Sequence, residues 1–291
     1  MKKHLCRWTL QEETEIEKMD YDVVSQKQGV YGKFMKKMTE ETGKGIRWSM
    51  IYLTGAMLQM LFACAIKFFL EKMDISYPAV CNLIFLIIGG MSTAIWGIII
   101  SKKSGRVDKY LDILKDYFKL KQPIKFYGVV ILFLLILFGV QMFTGKTEDG
   151  VVWYTFPILF AQALIFGGIE EIGWRYTFQP LLETRISYEI ASVIIFISWG
   201  TWHYMYFYIT DTISAIQHET FLIGLLGSCF IIGAIQKIGK SLWLCVLYHC
   251  LLNTFSQTLV ANDLVVTIIC NAIGICLAIF IVRKFHNKEK E

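Results

Sequence analysis

The chain has little charge for its length. Asp, Glu, Lys and Arg make up 18% of its 291 residues, where an ordinary soluble domain carries about 25%. It has only four prolines, no C-x-x-C pair and no H-E-x-x-H run. The eight cysteines stand singly at 6, 64, 81, 229, 245, 250, 270 and 276. No paired-cysteine metal or redox centre is spelled out, and they read as small buried hydrophobes. No basic face carries base-reading side chains, which excludes nucleic acid as a partner. Lys2, Lys3 and Arg7 are followed by no apolar core, so the N-terminus does not read as a signal peptide. No internal repeat relates one half to the other, which counts against a repeat-built transporter.

What fills the chain instead is apolar residues, 55% of the total, with a mean hydropathy of +0.49. A helix needs about 20 apolar residues, rising about 1.5 Å each, to cross a hydrocarbon core of about 30 Å. Runs of that kind lie near 48–70, 79–100, 126–143, 151–170, 189–209, 221–238, 241–257 and 264–283. The expected fold class is all-α, a polytopic membrane helix bundle of about eight transmembrane helices. The short third and seventh runs leave seven or nine open. The expected parts are a cytosolic arm over 1–47, two transmembrane helices with an interfacial segment over 48–124, a core over 125–257, and a last helix with a basic cytosolic tail over 258–291. Within 101–125, Val107, Leu111, Leu114, Phe118 and Leu120 recur between lysines, as on an amphipathic helix lying along the inner leaflet and ended by Pro123.

Lys and Arg total 29. A cytoplasmic N-terminus would put ten of them in 1–47, eight in 101–125 and four after Ile281 on the inside. Arg175, Arg185, Lys237 and Lys240 fall inside too, while Lys72 and Lys146 lie in outside loops and Lys67 sits at the outer end of the first run. Both termini are therefore expected in the cytoplasm.

An ionisable residue inside a span costs several kilocalories unless it is paired or faces water, so each marks a functional hypothesis. Three clusters qualify, all in the second half. Glu170-Glu171-Ile172-Gly173-Trp174-Arg175 ends the fourth run; Glu171 and Arg175, four apart on a helix, share a face and can pair. Glu170 projects elsewhere. Trp199-Gly200-Thr201-Trp202-His203 lies deep in the fifth run. His249 and Asn253, four apart in the seventh, can aim donors at one point. Each cluster alone reads equally well as a charged interfacial turn or a polar clasp between helices. Their depths add a condition. His203 lies about 21 Å from the start of its run, and His249 about 12 Å from the inner end of its own. Glu170 reaches them only if the fourth helix runs on past Arg175 towards Pro180.

Glu-Glu-x-x-x-Arg, then aromatic-x-x-x-His, then His-x-x-x-Asn, on separate membrane helices and in this order, resembles the CPBP family of CAAX prenyl proteases and bacteriocin-processing enzymes, also called Abi. The resemblance covers about 125–257, and the arm and first two spans carry no motif. One departure is Trp199, where the family has Phe; the larger ring is expected to keep the packing role. The resemblance implies an intramembrane endopeptidase in which Glu170 and His203 activate water, His249 and Asn253 stabilise the oxyanion, and Glu171 with Arg175 braces the site. Physical chemistry agrees. A carboxylate in a low-dielectric cavity is a stronger base than one in water, and donors aimed at an oxyanion act best where water is excluded. No Ser or Cys is paired with a base, which favours attack by water.

Glu170, His203 and His249 could also supply a three-ligand open zinc site. A metal-independent glutamate mechanism is the expectation, with zinc as the alternative. The expected partners are a peptide or protein substrate at the membrane and the lipid bilayer. The expected location is a bacterial cell membrane with the site open to the cytoplasmic side. Two other classes compete: a non-catalytic bacteriocin-immunity or interaction protein on the same scaffold, and a proton-coupled transporter.

Overall fold

The computed structural model describes residues 43–75 and 79–288. The expected arm over 1–47 lies outside them except for residues 43–47, which open the first helix. Regular structure among the described residues is helical, with one isolated antiparallel bridge between Thr147 and Leu259.

The helices are α1 (Gly43–Lys72), α2 (Ala79–Phe85), α3 (Ser92–Lys103), α4 (Tyr110–Tyr117), α5 (Ile124–Thr144), α6 (Thr155–Phe166), α7 (Gln179–Leu182), α8 (Tyr188–Ile209), α9 (His218–Gly239), α10 (Leu242–Thr258) and α11 (Leu264–Lys288). A widened π turn at Leu86–Gly90 joins α2 to α3. Among the described residues six stretches are long and apolar enough to cross a membrane: Gly43–Lys72, Cys81–Lys103, Ile124–Thr144, Thr155–Leu182, His218–Gly239 and Leu264–Phe285.

The two expected spans that miss this standard are α8 and α10. α8 has 22 residues, but Ser192, Ser198, Thr201, His203, Tyr204, Tyr206 and Tyr208 dilute its hydropathy. α10 has only 17, below the about 20 that a bilayer asks for. These are also the helices carrying the second and third motifs.

The continuation required of the fourth helix is present. Thr155–Leu182 runs through α6, a tight 3-10 turn at Gly168–Glu170, a π segment at Ile172–Phe178 and then α7. Pro180 is tolerated because it falls in the first turn of α7. The amphipathic helix expected across 101–125 is shorter than its periodicity implied. α4 covers eight residues, and Phe118 to Pro123 is not helical. Its inner face is Ile113 and Tyr117, both buried, while Leu111, Leu114, Phe118 and Leu120 remain exposed. Such a split, protein on one side and apolar surface on the other, suits an interfacial position.

α9 lies at the centre of the bundle, with 67% of its apolar window buried, against 22% for α11. Hydrogen bonds define two ends. At one, Glu148 N donates to Thr258 O (3.0 Å) and Val260 N to Lys146 O (3.3 Å); Lys67 pairs with Asp211 at 2.6 Å. The loops 145–154, 210–217 and 259–263 therefore meet there with the C-terminal end of α1. At the other end Arg106 donates to Tyr176 O (3.0 Å), Lys237 pairs with Glu183, and Arg283 with Glu189 at 3.1 Å. The seven described cysteines are free thiols; five are buried, as small buried hydrophobes would be, whereas Cys81 is half-buried and Cys276 exposed, and Cys6 lies outside the described residues.

Candidate active site

The 3-10 turn ends on Glu170, whose amide donates to Gly167 O at 3.0 Å. Tightening the helix by one turn and then loosening it into a π segment sets Glu170 and Glu171 towards different neighbours. π segments of this kind interrupt helices most often at functional sites. Both carboxylates are buried, with 5% and 0% exposure, so each needs a partner.

Glu170 has one in Trp199, whose indole Nε1–H donates to Oε2 at 2.8 Å. Glu171 has two. His249 Nδ1 lies 2.7 Å from Oε1, and Arg175 Nε lies 3.6 Å from Oε2. The expected Glu171–Arg175 pair is therefore present but is the looser contact. A four-residue spacing brings side chains together on an α-helix, and here Arg175 sits inside the wider π segment. The guanidinium instead lies over the Trp199 ring, 5.3 Å from its centroid, a cation–π contact in a buried setting.

Trp199 is the hub of the cluster. Its ring packs at 5.3 Å from His203, 5.4 Å from His249 and 6.1 Å from Trp174. Its backbone carbonyl lies 2.9 Å from His203 Nδ1. With a proton on Nδ1 donated to that carbonyl, His203 keeps Nε2 as an acceptor. His249 donates Nδ1–H to Glu171 and likewise keeps Nε2 for the interior. Packing was the only role expected of Trp199 from the sequence; the hydrogen bond to Glu170 was missed. The visible signal was the departure itself, since Trp brings a donor that Phe lacks.

α10 reaches this site across two glycines. A Cβ on Gly167 would lie 2.6 Å from Asn253 Nδ2 and 3.4 Å from His249 Nε2. One on Gly168 would meet Val246 Cγ1 at 2.8 Å and Cys250 Sγ at 3.0 Å. His249 Nε2 and Asn253 Nδ2 thus lie side by side along the backbone of Gly167. Gly167→Ala is accordingly expected to push the pair apart. Displacements of about 1 Å at a reacting centre cost about 100-fold, so cleavage should fall by that order. Melting temperature and turnover, measured on the same preparation, separate this from unfolding.

A cavity of about 300 Å³ adjoins the cluster. Trp199, His203, His249 and Asn253 line it, together with Gln141, Ser228 and Asn271. Glu170 is not among the lining residues; it stands one step back, held by the Trp199 indole. Among the described residues no three His, Cys, Asp or Glu side chains gather as a metal-ligand set.

With helical described residues, six membrane-length apolar helices among them and an enclosed carboxylate–histidine cluster, the chain is a multi-pass membrane protein. Residues 151–255 match the family model described as "Type II CAAX prenyl endopeptidase Rce1-like". The matched segment contains Glu170, Glu171, Arg175, Trp199, His203, His249 and Asn253, and the match supports the resemblance to the CAAX prenyl protease family. No curated protein matches the chain in a direct search.

Proposed function

We propose that the chain is an intramembrane endopeptidase that hydrolyses a peptide bond of a membrane-associated or prenylated protein or peptide. The observation that carries this reading is the convergence of Trp199, His203, His249 and Asn253 on one cavity with Glu170 bonded at its edge. Glu170 takes one proton from an attacking water held by His203 Nε2 and returns it to the leaving amine nitrogen as the C–N bond breaks. His249 Nε2–H, in the imidazolium balanced by Glu171, and Asn253 Nδ2–H receive the oxyanion. Arg175 holds Glu171 and Trp199 in place. The reaction runs through Glu170 as base, without a metal.

The same reading makes α8 and α10 membrane crossings, eight in all, with both termini in the cytoplasm of a bacterial cell. The Lys and Arg distribution supports it, with Lys102, Lys103, Arg106, Lys109, Lys115, Lys119, Lys121 and Lys125 on one connection. The division into arm, first spans, catalytic core and tail follows the same map.

The test is comparative peptidomics of membranes carrying the wild-type chain or Glu170→Gln. One peptide or protein should accumulate uncleaved in the variant; identical profiles would sink the proposal. Trp199→Phe is a finer probe, because it keeps a ring and removes only the donor to Glu170. A hydrogen bond to a charged group contributes about 1.5–3 kcal/mol, so kcat should fall about 10- to 100-fold with KM little changed. A change confined to KM would assign Trp199 to substrate contact instead.

A further inference from the structure

The cavity runs through one half of the bundle only. From its deep wall at Trp199 and His249 it passes Asn253, Leu252 and Ser256 on α10, Thr220 and Gly224 on α9, and Thr267 and Asn271 on α11. It ends at Leu259, Ala261 and Asn262, in the loop between α10 and α11. Exposure rises along the same path: His249 is buried, Asn253 is half-buried, and Ser256 and Ala261 are exposed. The mouth therefore lies at the end where loops 145–154, 210–217 and 259–263 meet. His203 agrees, lying six residues, about 9 Å, from the end of α8 at Ile209 and more than twice as far from Tyr188.

That end is the one poor in positive charge. Its three loops hold one lysine, Lys146, against Glu148, Asp149, Asp211 and Asp263. The opposite end carries the lysine-rich 101–125 connection, Arg185, Lys237, Lys240, Arg283 and Lys284. The positive-inside rule assigns the Lys- and Arg-rich end to the cytoplasm. Cytoplasmic termini and a cytoplasmic mouth, both expected from the sequence, do not go together in this bundle. The charge distribution spans every connection, so it decides the orientation, and the mouth follows.

We infer that the cavity opens to the extracytoplasmic side and that the substrate is a peptide segment presented from that face. The inference rests on the proteolytic reading for the identity of the substrate and on geometry alone for the side of entry. None of the lining residues is Asp, Glu, Lys or Arg. The segment taken into the cavity is accordingly free of Lys and Arg around the scissile bond, since a positive charge placed there would find no carboxylate among the lining residues.

Cysteine labelling tests this in cells expressing the full chain, with the unsubstituted protein setting the background from native thiols. Ala261→Cys at the rim and Ser256→Cys one step deeper should react with a membrane-impermeant maleimide in intact cells. Lys121→Cys on the opposite end should react only after permeabilisation. Reaction of Ala261→Cys and Ser256→Cys only after permeabilisation would overturn the inference. Should one substitution prevent folding, the other reads the same cavity. Labelling needs no turnover, so its result stands whether or not Glu170→Gln blocks cleavage. A substrate found by peptidomics should have its uncleaved site on the outer face, and a cytosolic site would also overturn the inference.

Discussion

Glu170→Gln is expected to lower cleavage by about 100- to 10,000-fold, the range that a positioned general base contributes, while leaving the protein folded. The substitution keeps size and shape. The amide oxygen of Gln can still accept from Trp199 Nε1, now 2.8 Å from Oε2, so the local packing has no reason to change. What disappears is the proton acceptor beside the cavity. Glu171 cannot take over, because Oε1 is held by His249 and Oε2 faces Arg175. His203→Ala should show a comparable loss, as it removes the second group near the water. Turnover of a reconstituted substrate, with size-exclusion profile and melting temperature as controls, measures both. Wild-type turnover in both variants would end the proteolytic reading.

Much of this site can be read in the sequence because membrane helices leave few alternatives. Buried charge in an apolar run needs a partner, and helical spacing says which neighbours share a face. The different neighbours of Glu170 and Glu171, the approach of His249 to Asn253, and the passage of the fourth helix beyond Arg175 all follow from those two rules. Three features escaped them. The 3-10 turn and π segment around Glu170 and Arg175 change the spacing on which a face argument depends. Glu171 therefore finds its short bond on another helix, at His249. Trp199 was read by size alone, although its indole nitrogen sets the position of Glu170. The side on which the cavity opens needed the three-dimensional arrangement. A depth along one helix does not say which end of the neighbouring helices stands open.

The charge pair beneath the site gives the largest expected effect on stability. Arg175 and Glu171 are both fully buried. Removing one partner of such a pair costs about 3–5 kcal/mol, because the other is left uncompensated in low dielectric. Glu171→Gln should therefore lower the melting temperature sharply: it leaves the Arg175 guanidinium with the face of Trp199, at 5.3 Å, and the Cys229 thiol, but no carboxylate, to meet its charge. Arg175→Met should cost less, since Glu171 keeps His249 at 2.7 Å. The double variant Glu171→Gln/Arg175→Met removes both charges at once and should regain most of the melting temperature lost in Glu171→Gln. Cleavage should not return with it. His249 would keep an acceptor for Nδ1–H but lose the negative charge that balances its imidazolium, so turnover should stay at least about 10-fold down, the scale of one charge-assisted hydrogen bond. Stability and activity thus part company in one set of variants. A double variant no more stable than Glu171→Gln would mean that the two residues act separately. Full activity in it would mean that Glu171 serves the fold alone.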